Sequence, residues 1–348
     1  MLTTDNFNGM KTKNNLLLFL LIPVTLLFSC NVNDDKKDYT YHQEQGEIFT
    51  TGYHIKYAYS RSLKEEIVAE LEKFNRSLNP FRENSIISKI NRNEQVKPDT
   101  FFLDVFRKSM DVSRRTGGMF DITISPLINA WGFGFQNMKH VTPQTIDSLK
   151  QFVGFEKITL DNGGNIVKKD PRVTLNTSAI AKGYSCDVIA NLLKGYGIEH
   201  FMVEIGGEII AKGVNNKGEC WRIGVDKPVD DASGMHHELQ VVLSLCDKAL
   251  ATSGNYRNFY MKDGRKYAHT IDPHTGYPSQ LDILGATVIA DDCMTADAYA
   301  TAFMAMGIEK SKETAEEISG LHYYFIYEMP DGTLGSVWSE GFEQFFTD

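Results

Sequence analysis

The chain lacks a basic surplus, a paired-cysteine motif and any long unbroken apolar run. Lysine and arginine number 36 against 45 acidic residues, a net charge of −9 over 348 residues. A phosphate backbone needs a basic face, so this balance argues against nucleic acid as the main partner. A small anion is not excluded, because a few local cations and backbone amides can hold one. Cys186, Cys220, Cys246 and Cys293 are widely scattered with no CxxC, which argues against a zinc site. Their spacing leaves open whether any pair oxidises. From about residue 46 onward there is no internal repeat, low-complexity run or Pro/Ser-rich linker, so the simplest reading is one domain. The 42% hydrophobic content is ample for a large core.

What is present begins at the N-terminus. Met10-Lys11-Thr12-Lys13 is a basic start, and LLLFLLIPVTLLFS at residues 16–29 is an apolar run broken by Pro23. That is an export signal, too short and interrupted for a comfortable membrane span. It ends in LFSC, similar to the lipobox of bacterial lipoproteins, with Leu27 three before Cys30 and small Ser29 just ahead of it. Residues 1–30 are therefore expected to be a lipoprotein signal peptide. Cys30 would become the acylated first residue of an exported protein anchored to a bacterial membrane and facing the periplasm. Residues 31–45, charged and with few aliphatics, read as a flexible tether. The domain would then occupy residues 46–348.

Within it, YHIKYAY (53–59) alternates like a strand, and Ser62 with Glu65 reads as a capping box for a helix. That helix carries Leu63, Ile67, Leu71, Phe74 and Leu78 on one stripe. A second helix is expected from Asp99 to Thr116, a third after Thr142-Pro143, and a fourth in AIAKGYSCDVIANLLKGYG. FMVEI, WRIGV, LQVVLSL, ALATS, RNFYM and GATVIA between residues 201 and 290 read as strands, and helices follow at 294–306 and 309–319. Strands arriving in runs point to an α+β fold with a mixed or antiparallel sheet and packed helices.

Several groups could carry chemistry. Asp297 and Thr301 are four apart on a helix and share a face. A carboxylate beside a hydroxyl suits a hard cation such as Mg²⁺, which binds few protein groups and completes its shell with phosphate and water. By itself such a pair is more often a solvated face; the alanines at 296, 298, 300, 302 and 305 make this helix small-sided, as if something must approach closely. LNTSAIAKGYSCD places Lys182 in the first turns of a helix, where free amides and the dipole attract phosphate. GGMFDITISPLINAWGFG reads either as a flat-ring pocket with Asp121 as its acid or as a buried strand between turns. VEIGGEI is a strand–turn–strand or a close backbone approach to a ligand. In YAHTIDPHTGYP a strand ends at His269 and a turn runs from Asp272-Pro273 to Gly276. His269 could take a proton from an incoming hydroxyl, whereas His274 reads as exposed.

Six stretches in chain order, GGMFDITISPLINAWGFG, AIAKGYSCD, MVEIGGEIIAKG, ATSGNYRNF, HTIDPHTGYP and TVIADDCMTADAYATAF, resemble the motifs of the ApbE family, the FAD:protein FMN transferases. The resemblance covers almost everything after the tether. It implies transfer of the FMN half of FAD to a Thr hydroxyl of a partner protein through a phosphoester bond, with release of AMP. The acceptor it implies is a flavin-carrying subunit of a membrane redox or ion-pumping complex. Mg²⁺ would be held by the side chains of Asp297 and Thr301 and the carbonyl of Ala179. Lys182 would lie at the flavin nucleotide, and Met119, Phe120, Asp121, Asn176 and Ile271 would line the FAD site. His269 is the candidate base, with Asp272 orienting it. The chain departs from the family pattern at three places: Phe49 stands where relatives show methionine, Phe81 where a flavin-stacking Tyr is common, and Asn176 where an acid is often found. The residues alone do not separate transfer from an FAD pyrophosphatase, with water as acceptor, or from a non-catalytic flavin-binding lipoprotein.

Overall fold

The computed structural model describes residues 40–134, 141–228, 238–255, 259–262, 265–279 and 282–347. Residues 1–30, expected to be a signal peptide ending in Cys30, and residues 31–39 of the expected tether lie outside them.

The described chain opens with a hairpin of β1 (Thr40–Ile48) and β2 (Thr51–Tyr59). Five helices follow: α1 (Lys64–Leu78), α2 (Ile86–Asn91), α3 (Thr100–Arg115), α4 (Ser125–Ala130) and α5 (Pro143–Lys150). A small hairpin of β3 (Ile158–Leu160) and β4 (Ile166–Lys168) precedes α6 (Ala181–Gly195). Then come β5 (Phe201–Ile205), β6 (Glu208–Lys212), β7 (Trp221–Asp226), β8 (Leu239–Leu245) and β9 (Lys248–Gly254). The short strands β10 (Phe259–Lys262) and β11 (Arg265–Ala268) lead on to β12 (Ile283–Ala290). The chain closes with α7 (Cys293–Met306), α8 (Ile308–Glu316), β13 (His322–Glu328) and β14 (Leu334–Trp338).

Eight strands form one sheet in the order β1-β2-β5-β6-β9-β12-β13-β14. Every neighbouring pair in it is antiparallel. The fold is therefore α+β, as the runs of strands imply. Helices α6 and α7 cover one face of the sheet, and the β7–β8 hairpin with a C-terminal aromatic turn covers the other. Because β12 lies between the two layers it is apolar but for Thr287, with Ala286, Val288 and Ile289 fully buried. Each fully buried Phe or Ile in these layers, such as Phe303, Phe325 or Ile289, contributes about 1.5–3 kcal/mol.

Helix α3 starts and stops where its caps require: Asp99 accepts from Phe102 N at its start, and Thr116 closes it. Three expectations change. The segment read as a tether contributes residues from Thr40 onward to β1, which pairs with β2 from Thr40↔Tyr59 to Ile48↔Thr51. An edge strand exposed along most of its length needs no apolar alternation, so its polar residues hid it. The capping box at Ser62 is not formed; its hydroxyl donates to Glu44 at 2.7 Å and accepts from Lys64 N at 3.2 Å, ahead of the helix. The small side of α7 serves helix packing: a Cβ at Gly183 of α6 would lie 2.3 Å from the Cys293 carbonyl oxygen and 2.7 Å from Asp297 Cβ.

Among the described residues one cysteine pair is oxidised: Cys220, just before β7, is bonded to Cys246, just after β8. Cys186 and Cys293 are free and buried.

Candidate active site

The α6–α7 seam sets the geometry of the site. Asp187 of α6 accepts from the first amides of α7, Cys293 N and Met294 N, each at 2.8 Å. In the opposite direction Asp297 Oδ2 of α7 accepts from Gly183 N of α6 at 2.9 Å. Each carboxylate thus sits on free amides in the first turn of the other helix, where the dipole favours negative charge. Both are buried, and burial pushes Asp187 up to about 7. Burial also raises Asp297, against the opposing charge of Lys182.

The Asp297–Gly183 bond has a second effect. In a continuous helix Gly183 N would bond the carbonyl four residues back, that of Ala179. With that amide committed to Asp297, the Ala179 carbonyl has no backbone partner among the described residues. Thr301, one turn after Asp297, shares a hydrogen bond with Ser253 of β9 at 3.3 Å. A carboxylate, a hydroxyl and an unpartnered carbonyl, all oxygen, line one cleft of about 470 Å³. Among the described residues no three His, Cys, Asp or Glu side chains form a closed cage. The donor set fits a hard cation that keeps water and phosphate in its shell, and does not fit zinc.

Lys182 enters the same cleft from α6 and forms an ion pair with Glu208 Oε1, at the start of β6. Burial works to lower the lysine pKa, but the charges of Glu208 and Asp297 outweigh it and hold the ammonium protonated. The two glycines before Glu208 make the turn possible: both have positive φ, +66° and +99°, and a Cβ at Gly206 would press on Thr51 and Lys182.

The opposite wall comes from residues 119–134. Asp121 is a loop staple, its Oδ1 accepting from Thr123 N and Thr123 Oγ1, both at 2.7 Å. Its carboxyl is 8% exposed, and burial pushes it up to about 6. Asn176 N donates to Ile122 O at 2.7 Å, which ties this wall to the lead-in of α6. Met119 and Phe120 line the cleft beside them. The segment is a set of turns and the six-residue α4, so the buried-strand reading falls away and the pocket wall remains.

His269 follows β11 and lines the cleft, its ring edge-on to Phe133 at 6.5 Å between centroids. The turn after it is tightly specified. Gly276 N donates to Asp272 O at 2.8 Å, Trp131 Nε1 donates to Gly276 O at 2.8 Å, and Ile271 bridges to Pro278. Asp272 Oδ1 accepts from His274 N at 2.7 Å and Thr275 N at 3.3 Å, so this carboxylate shapes the turn that carries the histidine. His274 is exposed, as expected.

A smaller apolar pocket of about 200 Å³ adjoins the cleft and shares Phe81, Ser178 and Lys182 with it. Phe49 and Phe74 form its floor, with ring centroids 5.3 Å apart. Phe49 and Thr50 are the central residues of the β1–β2 turn, at φ +53° and +64°. Such turns favour Asn-Gly, and a bulky residue held there is a strain kept at a place the fold uses. Phe81 is 66% exposed at the lip between the two pockets. A still larger hollow of about 680 Å³ lies between the end of α2 and the β3–β4 hairpin, but Lys168 there donates to Ile90 O and Asn93 Oδ1, a structural use.

The cleft therefore gathers all three proposed metal donors and Lys182, Met119, Phe120, Asp121, Asn176, Ile271, His269 and Phe81; Phe49 stands in the adjoining pocket and Asp272 behind the wall. Sequence reasoning missed Glu208, Ser253 and Phe133. Only the acid inside an otherwise apolar alternation, VEIGGEII, could have signalled the first.

Residues 49–325 match the model of the ApbE family. The chain is 38% identical over 283 residues to a FAD:protein FMN transferase of Vibrio cholerae, covering 78% of this chain and 83% of the relative. It is 32% identical over 280 residues to the Escherichia coli K12 protein of that name, covering 78% of each. Among solved structures, a flavin transferase ApbE from Vibrio cholerae superposes with a TM-score of 0.79 at 34% identity, over 88% of this chain and all of that one. The apo Pseudomonas stutzeri flavinyl transferase ApbE gives 0.78 at 27% identity, over 88% of this chain and 97% of that one.

Proposed function

The chain belongs to the ApbE family, and on that premise we propose that it is a FAD:protein FMN transferase acting on a Thr hydroxyl of a partner protein. The observation that carries the reading is the convergence of Asp297, Thr301, the Ala179 carbonyl, Lys182 and His269 on one cleft. The acceptor oxygen bonds to the phosphorus of the FMN half, the bond from that phosphorus to the bridging oxygen breaks, and AMP departs with the bridging oxygen. The acceptor's proton goes to His269, which lines the same cleft as Asp297. Lys182, charged and part-buried, offsets the pyrophosphate's negative charge, which counts for more away from water. Mg²⁺, when bound, supplies positive charge against the same oxygens, and Asp297, Thr301 and the Ala179 carbonyl would hold it. The aromatic lip of Phe81 and the floor of Phe49 and Phe74 offer a surface for a flat ring.

Export and anchoring through acylated Cys30 belong to the same reading. They are supported by the Cys220–Cys246 disulfide, since such bonds persist outside the reducing cytoplasm. The acceptor is then a protein reached at the membrane, such as a flavin-carrying subunit of a redox complex. The test gives protein lacking residues 1–30 FAD, Mg²⁺ and such a subunit. A covalently fluorescent acceptor band with AMP release is expected, and Asp297→Ala should abolish both. AMP without a labelled acceptor would mean hydrolysis, and FAD binding without AMP would mean storage.

A further inference from the structure

Glu208 is a buried acid in the cleft that the reaction outlined above leaves unused. It is 3% exposed, and its Oε2 is buried with no hydrogen-bond partner among the described residues. A buried carboxylate oxygen left unbonded is costly, which makes the place of this side chain in the cleft one that calls for an explanation. Its place is fixed from both sides: Glu208 pairs with Ile205 across the turn, and its carbonyl accepts from Cys186 Sγ at 3.2 Å. Gly206 leaves room for Lys182 to lie across the turn and reach Glu208 Oε1, since a Cβ there would stand 3.1 Å from Lys182 Cδ.

Two carboxylates share the cleft with this lysine, Glu208 from β6 and Asp297 from α7, the latter bonded to the amide of Gly183, the residue next to Lys182. An ammonium that settled on Asp297 would compete with a divalent cation for the same oxygens. We propose that Glu208 is a positioning residue that engages Lys182 and so keeps the Asp297 carboxylate open for the metal. This rests on the reading that Asp297 and Thr301 hold a metal. Removing the charge of Glu208 while keeping its shape turns Lys182 toward Asp297, and the metal then has to displace it.

The test is Mn²⁺ binding to the full-length chain purified in detergent, followed by electron paramagnetic resonance without FAD or acceptor. Glu208→Gln is expected to weaken Mn²⁺ binding by about 10–100-fold, the usual effect of losing a group that orients a ligand. The double variant Glu208→Gln/Lys182→Met should recover wild-type affinity to within about threefold, because no lysine remains to cover Asp297. A purely structural role for Glu208 would show no such recovery. Wild-type affinity in Glu208→Gln, or a double variant as weak as the single one, would overturn the proposal. Should Glu208→Gln fail to fold, Glu208→Met/Lys182→Met removes both charges together; wild-type affinity supports the proposal and a loss overturns it. A wild-type chain that binds no Mn²⁺ would overturn the metal reading itself, and the proposal with it.

Discussion

His269 and Asp121 stand on neighbouring walls of one cleft, yet their environments give them different work. His269 follows β11 and leads into a turn held by Asp272, Trp131 and the Ile271–Pro278 bridge, which places it at the cleft. In the proposed role of general base it would contribute about 10²–10⁴-fold in rate. His269→Ala is accordingly expected to slow transfer by that factor while FAD affinity, measured by fluorescence titration, stays near wild type. Equal losses in both would assign the ring to binding. For Asp121 the expectation concerns pH. Its folded-state carboxyl is raised from 3.8 to about 6, so between those values the native chain holds a proton that the unfolded chain has lost. Stability therefore falls as pH rises through that window, and the penalty is complete above it, amounting to roughly 3 kcal/mol. Asp121→Asn keeps an oxygen for Thr123 but has no such titration. Its urea-unfolding stability relative to wild type should climb by roughly 2.4 kcal/mol between pH 4 and pH 7, and a flat difference would contradict the assignment.

At the scale of elements, the α6–α7 seam holds the carboxylate of the proposed metal site. Gly183 is its tightest point, with no room for a Cβ against Cys293 O, and its amide aims Asp297. Gly183→Ala is expected to destabilise the fold by about 1–3 kcal/mol through overpacking, and to weaken Mn²⁺ binding as Asp297 shifts. Thermal melts and metal titration on one preparation check both, and an unchanged melt would refute the close approach. Much of this was legible beforehand. Asp99 and Thr116 marked the ends of α3, the sequences of β5 and β8 alternate or run apolar over their lengths, and the spacing of Asp297 and Thr301 put two oxygens on one face. What stayed hidden depends on distant partners. Glu208 reads as an ordinary strand acid until Lys182 is brought against it from 26 residues away, and the Ala179 carbonyl lacks a backbone partner among the described residues where Asp297 takes the amide of Gly183. The first half of β1 looked like linker because an exposed edge strand carries polar side chains.

For the whole molecule, the layers divide the labour. Helices α6 and α7 cover the face that forms the site, and the β7–β8 hairpin covers the other, closed at its ends by Cys220–Cys246. A link across 26 residues removes loop-closure entropy from the unfolded chain worth about 3–4 kcal/mol in the chain-entropy view. Cys220→Ser is therefore expected to lower unfolding stability by about that amount while Mn²⁺ affinity holds, because the bridge lies in the layer opposite the site. Loss of metal binding at temperatures where the variant is folded would contradict that separation. The pairing itself was not legible, since spacing among four scattered cysteines is compatible with several arrangements.

The most direct measurement of the central claim is a crystal structure of this chain with FAD and Mg²⁺. The account places the pyrophosphate in the cleft between α7 and the loop of residues 269–278, with the metal on Asp297, Thr301 and the Ala179 carbonyl. Nucleotide bound elsewhere, or a metal that bypasses Asp297, would contradict it.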